Sequence, residues 1–151
     1  MKKCLVTGVA GFIGCEVALL LSKAGYSIVG IDNLNHYYDV SLKHARLKRL
    51  NGLVDFREMD LVDKNSLNDL FKTEKFDAVV HLAAQAGVRY SLENPQAYVD
   101  SNVTGFLSIL ECCRENPVKH LVYASSSSVY GRNKKTPFST EDPVCMPSRF
   151  Y

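Results

Sequence analysis

A chain of 151 residues with 46% hydrophobic and 23% charged residues is long enough to bury a core and has the composition of one globular domain, expected to span 1–151. A formal net charge of +2, with no long charge run, gives no footprint for nucleic acid. No apolar run approaches a membrane span, and the start Met1–Gly8 is too short for a signal peptide. The five cysteines, Cys4, Cys15, Cys112, Cys113 and Cys145, are odd in number and lack CxxC spacing. That argues against a disulfide framework or a metal site, and for a reducing, cytoplasmic setting.

Short apolar runs alternate with longer amphipathic ones. Cys4–Thr7 reads as a buried strand and Gly8–Gly14 as a turn. Ile13, Val17, Leu20, Leu21 and Ala24 then recur at helical spacing, and Gly25 stops that helix. Ser27–Ile31 is a second strand ending at Asp32. A polar loop, Asn33–Val40, leads to a helix around Leu42, Ala45 and Leu50. Leu53–Glu58 is the third strand, Leu67, Leu70 and Phe71 mark the next helix, and Phe76–Leu82 is the fourth strand. Asn94-Pro95 opens a further helix, Asn as cap and Pro in the first turn. Its expected inner face is Val99, Val103, Phe106, Leu107 and Leu110. Val118–Ala124 is the fifth strand, and the proline-bearing tail from Lys134 is a loop. This βαβαβαβαβ order, with continuously apolar strands, predicts an α/β fold whose doubly wound parallel sheet is covered on both faces.

Gly8-Val9-Ala10-Gly11-Phe12-Ile13-Gly14 is a GxxGxxG turn between a strand and a helix, the context in which a glycine-rich loop binds a dinucleotide. Gly8 permits the tight turn, Gly11 lets backbone approach a pyrophosphate, and Gly14 allows close packing of the helix. The phosphates would sit on the free N–H groups at the helix start, Phe12 and Ile13 included. Asp32, 18 residues after Gly14, can accept hydrogen bonds from both ribose hydroxyls and repel a 2′-phosphate. Asn33 follows rather than Arg, which favours NAD over NADP. A plain strand–helix connection and a capping Asp are the alternatives.

The GxxGxxG spacing resembles the extended short-chain dehydrogenase/reductases, a Rossmann-like family. Four stretches narrow the resemblance: Asp32-Asn33-Leu34-Asn35-His36-Tyr37-Tyr38, His81 to Ser91 (HLAAQAGVRYS), Ser101-Asn102-Val103-Thr104-Gly105, and Tyr123 to Gly131 (YASSSSVYG). Together they resemble the UDP-glucuronate 4-epimerases from residue 3 to about residue 143. The resemblance implies that Asp60 and Leu61 flank the adenine, and that Leu82, Ala83 and Ala84 pass the nicotinamide ribose and phosphates. It implies that Ser126 bonds the sugar C4 hydroxyl and shares its proton with a catalytic tyrosine, while Gln85, Ser127 and Ser128 line the sugar site. Arg89 is a candidate for the substrate's phosphate or carboxylate, or a surface arginine paired with Glu93. Related 4,6-dehydratases carry Asp-Glu two residues after the catalytic hydroxyl, and uronate decarboxylases a Glu just before Val-Tyr-Gly. Here those positions are serine, so hydride removal from C4 to NAD and return to the opposite face is the expected chemistry.

Tyr151 lies 25 residues after Ser126, the family's spacing to the tyrosine of Tyr-x-x-x-Lys. It is either that tyrosine or a residue of a diverged end. A free tyrosine has a pKa of about 10, and the lysine that lowers it has no position here. The chain is therefore expected to be an amino-terminal half, truncated before the carboxy-terminal substrate domain and inactive by itself. The alternatives are a non-catalytic NAD-binding fragment or a sugar-nucleotide dehydratase. The family resemblance also implies that the Asn94–Cys113 helix joins a four-helix bundle in a homo-oligomer.

Overall fold

The structure is a computed structural model and describes residues 1–144. Five strands, β1 (Lys3–Thr7), β2 (Ser27–Asp32), β3 (Val54–Glu58), β4 (Ala78–His81) and β5 (His120–Tyr123), form one sheet in the order β3-β2-β1-β4-β5. Every pairing is parallel. The chain winds outward from β1 to β3, then crosses back over β1 to β4. The two directions diverge between β1 and β4, the position where open α/β sheets leave a crevice beyond the strand ends.

The connections are α1 (Phe12–Lys23), α2 (Val40–Arg49), α3 (Lys64–Glu74), two single turns α4 (Tyr90–Glu93) and α5 (Pro95–Tyr98), and α6 (Phe106–Glu115). Local chemistry starts several of them. Asp39 accepts from Ser41 N at 2.9 Å and Asp63 from Ser66 N at 3.1 Å. Asn94 accepts from Ala97 N at 3.3 Å ahead of Pro95, the cap and first-turn proline expected from sequence. Strand alternation divides the core. Leu5, Val29, Ile31 and Val79 meet Leu67, Phe71 and Ile109 of α3 and α6. On the other face Cys4, Val6 and Ile28 meet Cys15, Ala18 and Leu50, on and beside α1 and α2.

The helix faces differ from the hydrophobic stripes read in the sequence. In α1 the buried residues are Gly14, Cys15 and Ala18, whereas Ile13 and Leu20 are 61% and 64% exposed. The helix lies so close to the Gly8 turn that only small side chains fit beneath it; periodicity registers apolarity but not size. In α2, Leu42 and Ala45 face outward and Lys43 is buried. Between α5 and α6 the chain forms a π-helical stretch, Val99–Gly105. The wider turn shifts the phase of the helix, so Gly105, Ser108, Ile109 and Cys112 turn inward while Val103, Leu107 and Leu110 face out. Strand β5 is one of the two edges of the sheet, and its Val122 and Tyr123 are exposed. The serine run after it forms a 3₁₀ turn, Ser127–Tyr130. No helix among the described residues is long and apolar enough to cross a membrane.

Candidate functional site

The glycine-rich turn is held from below by strand β2, since Gly8 N and Val9 N both donate to Ile31 O, at 2.8 and 3.2 Å. Gly8 has φ +69, and a Cβ there would stand 2.8 Å from Ala83 N. A Cβ on Gly14 would stand 2.0 Å from Gly8 O, so these two positions admit no side chain. Helix α1 has no side-chain cap, and its first helical bond is Cys15 N to Gly11 O at 3.1 Å. The N–H groups of Phe12, Ile13 and Gly14 therefore have no helical acceptor. They are at the positive end of the helix dipole, where an anion is favoured. The Phe12 and Ile13 side chains are exposed, so these residues offer backbone.

Asp32 ends β2 and is buried. Its Oδ2 accepts from Ala10 N at 3.2 Å, and its Oδ1 from Leu34 N at 2.9 Å and from Lys43 Nζ at 3.2 Å. Lys43 also donates to Asn35 Oδ1 at 3.3 Å and covers the Tyr38 ring, 5.3 Å from its centroid. Arg46 donates to Ala10 O at 3.3 Å and Tyr38 OH at 2.9 Å. Asn33 Nδ2 donates to Asp60 Oδ2 at 2.8 Å, and Asp60 Oδ1 accepts from Val62 N at 3.2 Å. Asp60 thus both stiffens its own turn and joins the ends of β2 and β3.

Beyond β4, Leu82 N and Ala83 N each donate to Thr7 Oγ1 at 3.1 Å. Gln85 is clamped by Asn102, whose Oδ1 accepts from Gln85 N at 2.8 Å and whose Nδ2 donates to Gln85 O at 3.0 Å. Asn102 stands in the π-helical stretch; such stretches recur at functional sites because they re-aim side chains. At the end of β4, burial pushes the His81 imidazole down to about 4.

These segments line an open crevice at the β1/β4 divergence. Of the residues singled out in sequence, Gly8, Gly11, Asp32, Asn33, Asp60, Leu61, Leu82, Ala83, Ala84 and Gln85 line it. Asn35, Tyr37, Tyr38, Lys43 and Ser101 line it too, and sequence reasoning passed over their individual roles. Asn35 and the two tyrosines sat within a quoted stretch; Lys43 carried no signal beyond a charged residue on a helix. Gly14 is behind the turn. Arg89 is exposed beside α4, and no ion pair to Glu93 forms among the described residues. Ser126, Ser127 and Ser128 are exposed past the end of β5, outside the crevice lining. Ser126 Oγ accepts from Ser128 N at 3.3 Å. Tyr151 lies outside the described residues.

Strand order, crevice and glycine turn define a doubly wound parallel fold with a glycine-rich turn at its crevice. The family model described as GDP-mannose 4,6 dehydratase matches residues 5–151, and the chain belongs to that family. An uncharacterized 37.6 kDa protein of Escherichia coli O111:H- is 57% identical over 150 residues, covering 99% of this chain and 45% of its own length. UDP-glucuronate 4-epimerase 1 of Arabidopsis thaliana is 52% identical over 149 residues, covering 97% of this chain and 35% of its own. The crystal structure of a UDP-glucuronic acid 4-epimerase from Bacillus cereus, in complex with UDP-glucuronic acid and NAD, superposes with a TM-score of 0.82 at 34% identity. It matches 93% of this chain and 45% of that one. The chain spans less than half the length of these relatives.

Proposed function

We propose that this chain is the cofactor-holding portion of a nucleotide-sugar 4-epimerase acting on UDP-glucuronate, with NAD as cofactor. The carrying observation is the single crevice into which the Gly8–Gly11 turn, Asp32, the Asn33–Asp60 pair and the Leu82–Gln85 segment converge. Its shape and donors suit a dinucleotide. The free N–H groups of Phe12 and Ile13 would receive the pyrophosphate, and Asp32 the adenosine ribose. Asp60 and Leu61 would flank the adenine, and Leu82, Ala83 and Ala84 the nicotinamide ribose. NAD supplies the hydride acceptor.

The chain's own groups bind and orient. Ser126, at the end of β5, would hold the sugar C4 hydroxyl and share its proton with Tyr151. Gln85, Ser127, Ser128 and Arg89 would contact the sugar nucleotide. The test is incubation of the purified protein with UDP-glucuronate and NAD, followed by NMR for UDP-galacturonate. Residues 1–151 alone are expected to bind NAD without conversion; joined to the carboxy-terminal portion of a full-length relative, they are expected to convert UDP-glucuronate, about 100-fold or more slowly with Ser126→Ala. NAD binding without conversion by that joined protein would reduce the reading to a cofactor-binding module. The outward apolar row Val103, Leu107 and Leu110 supports self-association; light scattering showing a concentration-independent monomer would exclude it.

A further inference from the structure

We propose that Asn51 is a modification site: it deamidates spontaneously, through a cyclic imide closed by the backbone nitrogen of Gly52, and leaves aspartyl and isoaspartyl forms of the chain. The chemistry needs only water and base, and it is independent of the reaction proposed above.

An asparagine cyclises when the nitrogen of the next residue is free to attack its side-chain carbonyl carbon. Of the nine asparagines, eight are held back. Asn94 and Asn116 precede proline, which has no N–H to give up. Asn65, Asn68 and Asn102 lie in helical stretches, whose backbone fixes the next nitrogen away from the side-chain carbonyl. Asn33, Asn35 and Asn133 are each followed by a bulky residue. Their side-chain oxygens also accept from the N–H two residues on, at 3.2, 3.4 and 3.0 Å, which pins the side chain.

Asn51 alone lacks these restraints. It follows Leu50, the cap residue of α2, and is exposed together with Gly52 and Leu53. Its side chain makes no hydrogen bond among the described residues. The bonds of the turn pass on either side of the attacking nitrogen. Asn51 N donates to Lys48 O at 3.3 Å and Leu53 N to Leu50 O at 2.9 Å, while Gly52 N has no acceptor among the described residues. Gly52 has φ +74, and a Cβ there would meet nothing within 4 Å. The nitrogen is therefore open to base, and the ring can close without meeting a side chain.

Hydroxide takes the Gly52 N–H proton, and the nitrogen attacks Cγ of Asn51. The N–Cγ bond forms, the Cγ–Nδ2 bond breaks, and Nδ2 leaves as ammonia with a proton from water. Water then opens the imide. Addition at Cγ gives aspartate. Addition at the main-chain carbonyl carbon gives isoaspartate, in which the backbone runs through the former side chain. No atom is oxidised or reduced. Either product lowers the formal net charge of +2 by one and sets a carboxylate at the negative end of the α2 dipole. The isoaspartyl form also lengthens the chain between buried Leu50 and β3, where Leu53 N and Val54 N both return to Leu50 O.

The test holds the purified, folded protein in warm, mildly alkaline buffer and follows the tryptic peptide Leu50–Arg57 by mass spectrometry. The peptide is expected to gain the mass difference between a hydroxyl and an amino group and to resolve into two new species. One of them is expected to accept methyl groups from S-adenosylmethionine and an isoaspartyl methyltransferase. Peptides bearing the other asparagines are expected to persist. Gly52→Ala is expected to slow the conversion about tenfold or more, because a side chain hinders ring closure, and Asn51→Gln to stop it. Conversion at Asn51 no faster than at Asn133, conversion seen only after unfolding in urea, or conversion unchanged by Gly52→Ala overturns the proposal. The comparison with Asn133 uses wild type alone, so it decides even where Gly52→Ala does not fold.

Discussion

Thr7 and His81 join the ends of the two strands that flank the crevice, with Thr7 Oγ1 2.8 Å from His81 Nδ1. The direction of that bond follows from counting. Thr7 Oγ1 already accepts from Leu82 N and Ala83 N, which fills its two lone pairs. Its single proton is therefore donated to His81 Nδ1, and the neutral ring carries its hydrogen on Nε2. His81 stacks on Phe106 of α6, centroids 5.3 Å apart. One hydroxyl thus positions the backbone of Leu82 and Ala83, both at the crevice wall.

Thr7→Val keeps the shape and removes the hydroxyl. The Ala83 amide and an imidazole nitrogen lose their partner, while Leu82 N keeps Thr7 O at 3.3 Å, and the expected destabilisation is about 2–3 kcal/mol. Urea unfolding measures it. Thr7→Ser, which restores the oxygen, is expected to recover most of the loss.

The buried histidine makes stability depend on pH. The unfolded chain protonates His81 near its ordinary 6.5, the folded one only near about 4. Between those values the unfolded state binds more protons. The His81 contribution is whole above pH 6.5 and is lost as pH falls toward 4. The loss approaches about 3 kcal/mol. Unfolding at pH 7 and pH 4.5 should show a smaller fall for His81→Phe than for wild type. Equal slopes would remove His81 as the cause.

Gly14→Ala tests the approach of α1 to the glycine turn. The added methyl meets Gly8 O at 2.0 Å, backbone that cannot step aside without moving the turn. Overpacking of this kind costs about 1–3 kcal/mol. Thermal melting should show that cost, and NAD titration a loss of at least tenfold. Retained NAD affinity would mean that the turn's geometry is not what holds the pyrophosphate.

A contact across the crevice mouth gives a coupled pair. Gly87 has φ +94, and a Cβ there would stand 2.1 Å from Tyr37 Oη, so Gly87→Ala pushes the Tyr37 side chain aside. Tyr37 in turn packs on Tyr90, centroids 4.9 Å apart. Gly87→Ala is expected to cost about 1–3 kcal/mol through backbone strain plus the clash. Adding Tyr37→Phe removes the clash and leaves the strain. A double-mutant cycle should therefore give a coupling of about 0.5 kcal/mol or more. Additive effects would show that the loops do not touch in solution.

Much of this architecture was legible in the residues. Continuous apolar runs mark parallel strands because both faces of such a sheet are buried. Gly8, Gly11, Gly14 and Asp32 carry backbone and charge requirements that few other residues meet. Hence the doubly wound parallel sheet and ten of the crevice-lining residues could be named from spacing and resemblance. The helix faces could not. Ile13, Leu20 and Val103 carry the same apolar signal as a core residue, yet close packing of α1 and the π-helical phase shift turn them outward.

What the sequence by itself determined is the alternation of elements, the glycine turn and the carboxylate at the end of β2, each a local property of consecutive residues. What only the tertiary structure decided is which groups from distant segments share a site. Lys43 lies eleven residues from Asp32, and Asn102 seventeen from Gln85. Asn102 stands in a stretch the resemblance singled out, but no local feature pairs it with Gln85, and none pairs Lys43 with Asp32. They matter because burial strips water from Asp32 and from the Gln85 backbone, and a buried polar group must find its partner wherever the fold brings one.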